Sequence, residues 1–128
     1  VDHCYYKMFQ NCTNLTMAPE LHATTLAEYC YKSMFSGCTS LTAAPELPAT
    51  MLVNCCYQEM FSGCTNLSSI TMLAKYISAT YCLTDWVSGV ASSGTFTKAE
   101  SLIQGSDTDN KIPTGASGIP KGWTVVNK

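Results

Sequence analysis

Seven of the eight cysteines fall on two interleaved series that share one period. Cys4, Cys30, Cys56 and Cys82 are each 26 residues apart, and so are Cys12, Cys38 and Cys64; Cys55 stands outside both series. A fixed spacing of this size marks an internal repeat, whose units bury their apolar faces against copies of themselves. Aligned without gaps, residues 4–29 and 30–55 agree at 15 of 26 positions, and residues 56–81 agree with the second copy at 10 of 26. A fourth copy opens as CLTDWVSGV at Cys82 and then fades. Trp86 and Val87 replace its Met-Phe pair, and Val90 takes its second cysteine position.

Each copy reads as a helix followed by a brief strand. The stretch from Thr25 to Phe35 has no Pro or Gly. Leu26, Cys30, Met34 and Cys38 recur at every fourth position, which is one stripe of a helix reaching to about Ser36. Gly37 then stops it. The SLTAAPELP segment, punctuated by Pro45 and Pro48, suits a short strand and a turn. The expected fold is α/β: a short leucine-rich-repeat-like solenoid with parallel strands on one face and helices on the other. Residues 1–90 hold three to four copies. The first lacks the equivalents of Ala23–Tyr29, so the chain reads as a piece of a longer one. Residues 91–128, broken by five glycines and two prolines, read as an irregular cap. Phe96, Leu102, Ile103, Ile112 and Trp123 are its apolar contacts, and Trp123, Val125 and Val126 suit a short final strand.

Stacking places like on like. Leu15, Leu41 and Leu67 form one inner row; Leu21, Leu47 and Leu73 a second; Phe9, Phe35, Phe61 and Val87 a third. Cysteine suits such rows because it buries as a small apolar residue. Cys4 and Cys12, eight residues apart on a helix, are separated by about 12 Å, too far for a bridge. Cys30 and Cys56 on neighbouring helices are also too far apart. Cys38 with Cys64, nearer the sheet, is the plausible pair between copies. The expectation is mostly reduced, buried thiols. Vicinal Cys55-Cys56 could close a strained ring, but Cys55 more simply fills the slot of Tyr29 and Tyr81.

Composition narrows the function. Charged residues are only 12% of the chain, and 16 Thr and 13 Ser supply the polar surface. There is no Arg, the 7 Lys are scattered and the net charge is -2, which argues against a surface that tracks phosphates. No apolar run approaches the roughly 20 residues of a membrane helix. VDHCYY lacks the basic start and apolar core of a signal peptide. Glu20 and Glu46, equivalent in adjacent copies, could form a small acidic row beside Thr16, Thr42 and Ser68 on the strand side, suited to a cation or a hydroxyl-rich glycan. Asp107-Thr108-Asp109-Asn110 alternates oxygens as Ca²⁺ loops do, but it lacks their Gly and final Glu. His3 and His22 are isolated, no CxxC spacing exists, and a Cys nucleophile would need a His partner. The three N-x-S/T triplets follow from the repeat wording. The expectation is no catalytic residue, no metal and no cofactor.

The phrase MFSGCTSLTAAPELPAT resembles the repeat of BspA-like leucine-rich-repeat proteins, in the 26-residue form common on bacterial surface proteins. The ending GTFTK...SGIPKGWTVV is similar to the closing segment of that group. The resemblance implies a leucine-rich-repeat solenoid, export to the cell surface or beyond, and adhesion or binding without catalysis. The third copy departs from it, with Ser69, Ile70, Thr71 and Met72 in place of the APEL phrase, which puts the shape of the sheet near residue 70 in question. The expected function is a non-enzymatic binding module that engages a protein or glycan through its sheet face, as a monomer or as part of a longer chain. The alternative is a passive structural spacer. An aromatic or charged patch on the sheet side favours the first, and a uniform Thr/Ser/Ala face the second.

Overall fold

The structure is a computed structural model that describes residues 5–106 and 110–128. Cys4, His3 and the run Asp107–Asp109 lie outside the described residues. Among the described residues there is no helix and there are five short strands: β1 (Ser69–Met72), β2 (Thr95–Lys98), β3 (Ile103–Gln104), β4 (Lys111–Ile112) and β5 (Thr124–Asn127). β1, β2 and β5 form one parallel sheet in that order, and β3 pairs with β4 in another. The expected α/β solenoid with a helix in every copy is therefore overturned.

The segment expected to be helical is a chain of consecutive turns. In the second copy, Cys30, Lys32, Met34, Ser36 and Cys38 donate their N–H groups to carbonyls three residues back, at 3.0 to 3.2 Å. The residues between them, Tyr29, Tyr31, Ser33, Phe35 and Gly37, donate instead to Asn54, Cys56, Gln58, Met60 and Ser62 in the next copy, at 2.8 to 3.3 Å. A helix forbids this pattern, because it spends every interior N–H on the carbonyl four residues back. The turns also need positive φ at every fourth residue: Tyr29 (60°), Ser33 (56°) and Gly37 (77°), repeated at Cys55, Glu59 and Gly63 and at Tyr81, Asp85 and Gly89. Each is the third residue of its turn, where a type II turn requires that conformation. The left-handed conformation costs a side-chain-bearing residue about 1–2 kcal/mol. Two such residues per copy are offset by five bonds to the next copy, each contributing about 0.5–1.5 kcal/mol net.

A four-residue turn period also explains the misleading stripe. Cys30, Met34 and Cys38 are all buried, and so are Tyr31 and Phe35 beside them. The inward pairs Cys-Tyr and Met-Phe stack on their equivalents. Phe9, Phe35 and Phe61 lie ring on ring with centroids 5.6 and 5.7 Å apart and planes within 7°. Tyr5, Tyr31 and Tyr57 form a second column at 5.4 and 6.2 Å. Both columns end on fully buried Trp86, 6.1 Å from Tyr57 and 6.0 Å from Phe61, which meets Phe96 edge-on at 6.0 Å.

The strand side departs from the expectation in a second way. The APEL phrase is not a regular strand; the regular strand β1 forms in the copy that lacks it. Ala43 bridges Ser69, 26 residues on, but Leu47 bridges Met72, 25 residues on. Ala44, Pro45 and Glu46 thus stand opposite only Ile70 and Thr71, so the proline phrase bulges. Pro45 has no N–H to give a ladder. The slip corrects one inner row: Met72 is fully buried beside Leu47, whereas Leu73 is half-buried. Bridging by 25 persists at Met51 and Tyr76. The 26-residue spacing returns by Tyr81, which matches Cys55 in its positive φ. Leu41 and Leu67 are fully buried, and Leu15 is half-buried in the first copy.

Residues 91–128 are more regular than the expected irregular cap, since β2 and β5 belong to the main sheet. They close the stack through Trp86 Nε1 donating to Gly118 O at 2.8 Å and Trp123 Nε1 to Ala91 O at 2.8 Å. Phe96, Leu102, Ile112 and Trp123 are buried, but Ile103, expected among them, is 60% exposed on β3. Lys98 is buried too, with its ammonium donating to Ala99 O and Leu102 O at 3.3 and 2.5 Å. Those carbonyls satisfy the charge in place of water.

Gly63→Ala separates the two backbones by sign. In a helix it would stabilise by about 1 kcal/mol. Here an added Cβ meets only ordinary contacts, 3.5 Å from the Gly37 backbone, but the residue sits at φ +77°. The variant is expected to lose roughly 1 kcal/mol in urea unfolding; a gain would restore the helix.

Candidate functional site

The strand side carries the residues singled out from the sequence, and all five are exposed: Thr16, Glu20, Thr42, Glu46 and Ser68. Thr42 and Ser68 sit in adjacent copies, where Ser68 N–H donates to Thr42 O at 2.9 Å and Ser68 Oγ lies 3.5 Å from the same carbonyl. Beyond them the outward positions of the sheet continue the hydroxyl row. Ser69, Thr95 and Thr124 are in register, followed by Thr71, Thr97 and Val126. The 26-residue period places Thr95 beside Ser69 from sequence alone. The 29-residue step to Thr124 left no sequence signal, because the copy between them has lost its wording.

Glu20 and Glu46 flank one depression of about 400 Å³, floored by Leu21 and Pro48 and edged by His22. Each carboxylate has a cationic or ionisable neighbour. His22 Nε2 lies 3.4 Å from Glu20 Oε2, and Lys128 Nζ lies 3.2 Å from Glu46 Oε2. The Glu46 bulge turns its side chain outward, while the strand β5 brings Lys128 back over the sheet, where Lys128 N–H donates to Lys98 O at 2.9 Å. Sequence reasoning missed both partners: His22 has no equivalent in other copies, and Lys128 lies 82 residues from Glu46. Both pairs are largely solvated, so each contributes about 0–1 kcal/mol and the carboxylates are exchangeable.

The cysteines take a different place. Among the described residues, Cys12, Cys30, Cys38, Cys55, Cys56, Cys64 and Cys82 are joined in no disulfide, Cys38 and Cys64 among them, and vicinal Cys55 and Cys56 form no ring. The pairing considered for Cys38 and Cys64 is thus not made. The helical distances behind the thiol expectation do not apply, since there is no helix; the geometry that holds the thiols is a hydrogen bond. Cys38 Sγ donates to Phe9 O at 3.1 Å and Cys64 Sγ to Phe35 O at 3.0 Å, each reaching into the preceding copy. Cys82 Sγ donates to Ile77 O at 3.2 Å. Burial pushes the Cys64 thiol up to about 12 and raises Cys38 and Cys56 as well. Burial also raises the Tyr57 phenol. Thiols held protonated in this way are poor nucleophiles and poor metal ligands.

Among the described residues, no three His, Cys, Asp or Glu side chains are grouped to hold a metal ion. Of the run considered for Ca²⁺, only Asn110 is described, and its amide is spent on structure. Its Oδ1 accepts from Ile77 N–H at 2.6 Å and its Nδ2 donates to Lys75 O at 2.7 Å, which pins the third copy to the closing segment. No described helix is long and apolar enough to cross a membrane. The chain matches no protein-family model, and no curated protein or solved structure matches it either.

The raised thiols set a sign for pH dependence. A thiol protonated in the fold but titrating near 8.5 when unfolded contributes stability that is complete below pH 8.5 and lost as pH rises toward 12. Urea midpoints are expected to be flat across neutral pH and to fall above pH 9. Cys64→Ala should lessen the fall by up to about 1.4 kcal/mol per pH unit. An unchanged slope in that variant would mean that Cys64 titrates normally.

Proposed function

We propose that the protein is a non-enzymatic binding module that engages a hydroxyl-rich macromolecule, a glycan or glycosylated protein, through its strand side. The observations that carry this reading are the depression between Glu20 and Glu46 and, on the sheet, the hydroxyl row of Thr42, Ser68, Ser69, Thr95 and Thr124. Carboxylates accept hydrogen bonds from sugar hydroxyls, and such charge-assisted bonds are about twice as strong as neutral ones. Both carboxylates can exchange a solvated partner for a ligand. The thiols support the non-enzymatic part of the reading, because burial raises Cys38, Cys56 and Cys64. The resemblance of the MFSGCTSLT phrase to BspA-like repeats adds export, and so a location outside the cell or on a bacterial surface.

One observation favours a second reading. Over β1, β2 and β5 the outward positions are Ser and Thr with Val126 at the edge, a uniform surface suited to a passive spacer within a larger surface protein. Binding to an array of glycans and matrix proteins decides between the two. Under the binding reading, wild-type protein marks a defined set of glycans, and Glu20→Gln/Glu46→Gln weakens those spots by tenfold or more while melting as the parent does. A blank array with folded protein supports the spacer.

A further inference from the structure

The turn ribbon runs out of acceptors where it meets the closing segment. Gly37 and Gly63 N–H donate to Ser62 O and Ser88 O at 2.8 and 2.7 Å. Gly89 continues that series at φ 80°, but no described residue accepts its N–H. The closing segment serves the two donors before it. Asp85 N–H reaches Ser117 Oγ at 3.0 Å, and Val87 N–H reaches Ala116 O at 3.1 Å. Gly115, which comes next in that order, is folded back at φ 139° and gives its own N–H to Ile119 O at 2.8 Å. Gly89 is left facing outward.

A groove of about 220 Å³ opens at this point. Gly89, Ser92, Ala116 and Lys121 line it, and none of their four N–H groups has an acceptor among the described residues. Ser88 and Ser92 add hydroxyls, and Lys121 adds an ammonium that pairs with no described carboxylate. No described Asp or Glu stands in the wall; Asp85, close by in sequence, is not part of it. Gly89, Ser92, Ala116 and Lys121 are exposed, so a ligand reaches them from solvent. Backbone N–H groups gathered around a concavity favour an anion. The aligned peptide dipoles of the ribbon add their positive end at the same place. An oxyanion accepts from several such donors at once, through charge-assisted bonds about twice as strong as neutral ones.

We propose that this groove binds an oxyanion, the carboxylate or sulfate group of an acidic ligand, held by the Gly89 N–H, the serine hydroxyls and the Lys121 ammonium. The site shares no lining residue with the depression between Glu20 and Glu46 and selects the opposite charge, so it stands or falls separately from that reading.

The test is an amide NMR titration of the whole chain with sodium sulfate and, separately, sodium acetate, each compared with sodium chloride at equal ionic strength. The expected result is a saturable shift of the Gly89 and Ala116 resonances that chloride does not reproduce. Lys121→Gln should weaken the apparent Kd by about fivefold, as loss of a solvated charge pair does. Lys75→Gln, which removes the same charge outside the groove, should leave it unchanged. The salt that binds more tightly names the group: sulfate for a sulfated ligand, acetate for a carboxylated one. Linear shifts with both salts, shifts of equal size with chloride, or a Lys121→Gln affinity equal to the parent's would overturn the proposal.

Discussion

Every other residue of the turn ribbon gives its N–H to the next copy, and the rest of the molecule depends on that bond. The chain cannot make it alone, as a helix makes its own, so no single copy has a satisfied backbone. The bond sets the distance between copies, and that distance lets Phe35 lie flat between Phe9 and Phe61. It also brings Cys38 and Cys64 within reach of a carbonyl in the preceding copy. The strain at Tyr29, Ser33, Cys55 and Glu59 is sustained by the same bonds. Local conformational cost and long-range pairing are therefore one cooperative balance, in which neither stands without the other.

The period was legible in the cysteines, and with it the columns of Phe9, Phe35 and Phe61. The backbone that carries them was not, for a specific reason. Positions 30, 34 and 38 are a stripe on a helix, and they are equally the inward corners of a ribbon of four-residue turns. Periodicity alone cannot tell 3.6 from 4 over three points. The one local sign was glycine at 37, 63 and 89, with Asn11 at φ 61° in the first copy. Gly at a helix end and Gly in a left-handed turn look alike in a sequence. Tyr29 and Ser33 carry no sign at all, since their conformation is imposed by the neighbouring copy.

The candidate site was half legible. Glu20, Glu46, Thr16, Thr42 and Ser68 were found because they recur, and recurrence was the tool in hand. Their partners His22 and Lys128 do not recur and could not be found that way. The same limit explains the error at Leu73: an ungapped alignment cannot show that Ala44, Pro45 and Glu46 bulge against Ile70 and Thr71. Proline is the cause, since Pro45 withholds the donor that a flat ladder requires. The copy that lost the phrase is the one that became β1.

The alternation of bonds along the ribbon also has an electrical meaning. Within the turn ribbon, the N–H groups that pass between copies all point toward the closing segment, and their carbonyl partners all point back toward the first copy. These peptide dipoles add along the stacking axis, as they do along a helix. The edge at Met8 and Gln10 is thus the negative pole of the ribbon, and the end sealed by Ala116 and Ser117 is its positive one. Lys7 and Lys32 gather near the negative pole, within 5.0 and 5.9 Å of the Tyr6 ring. In a chain with only seven lysines and no arginine, two of them complement a field that no side chain creates.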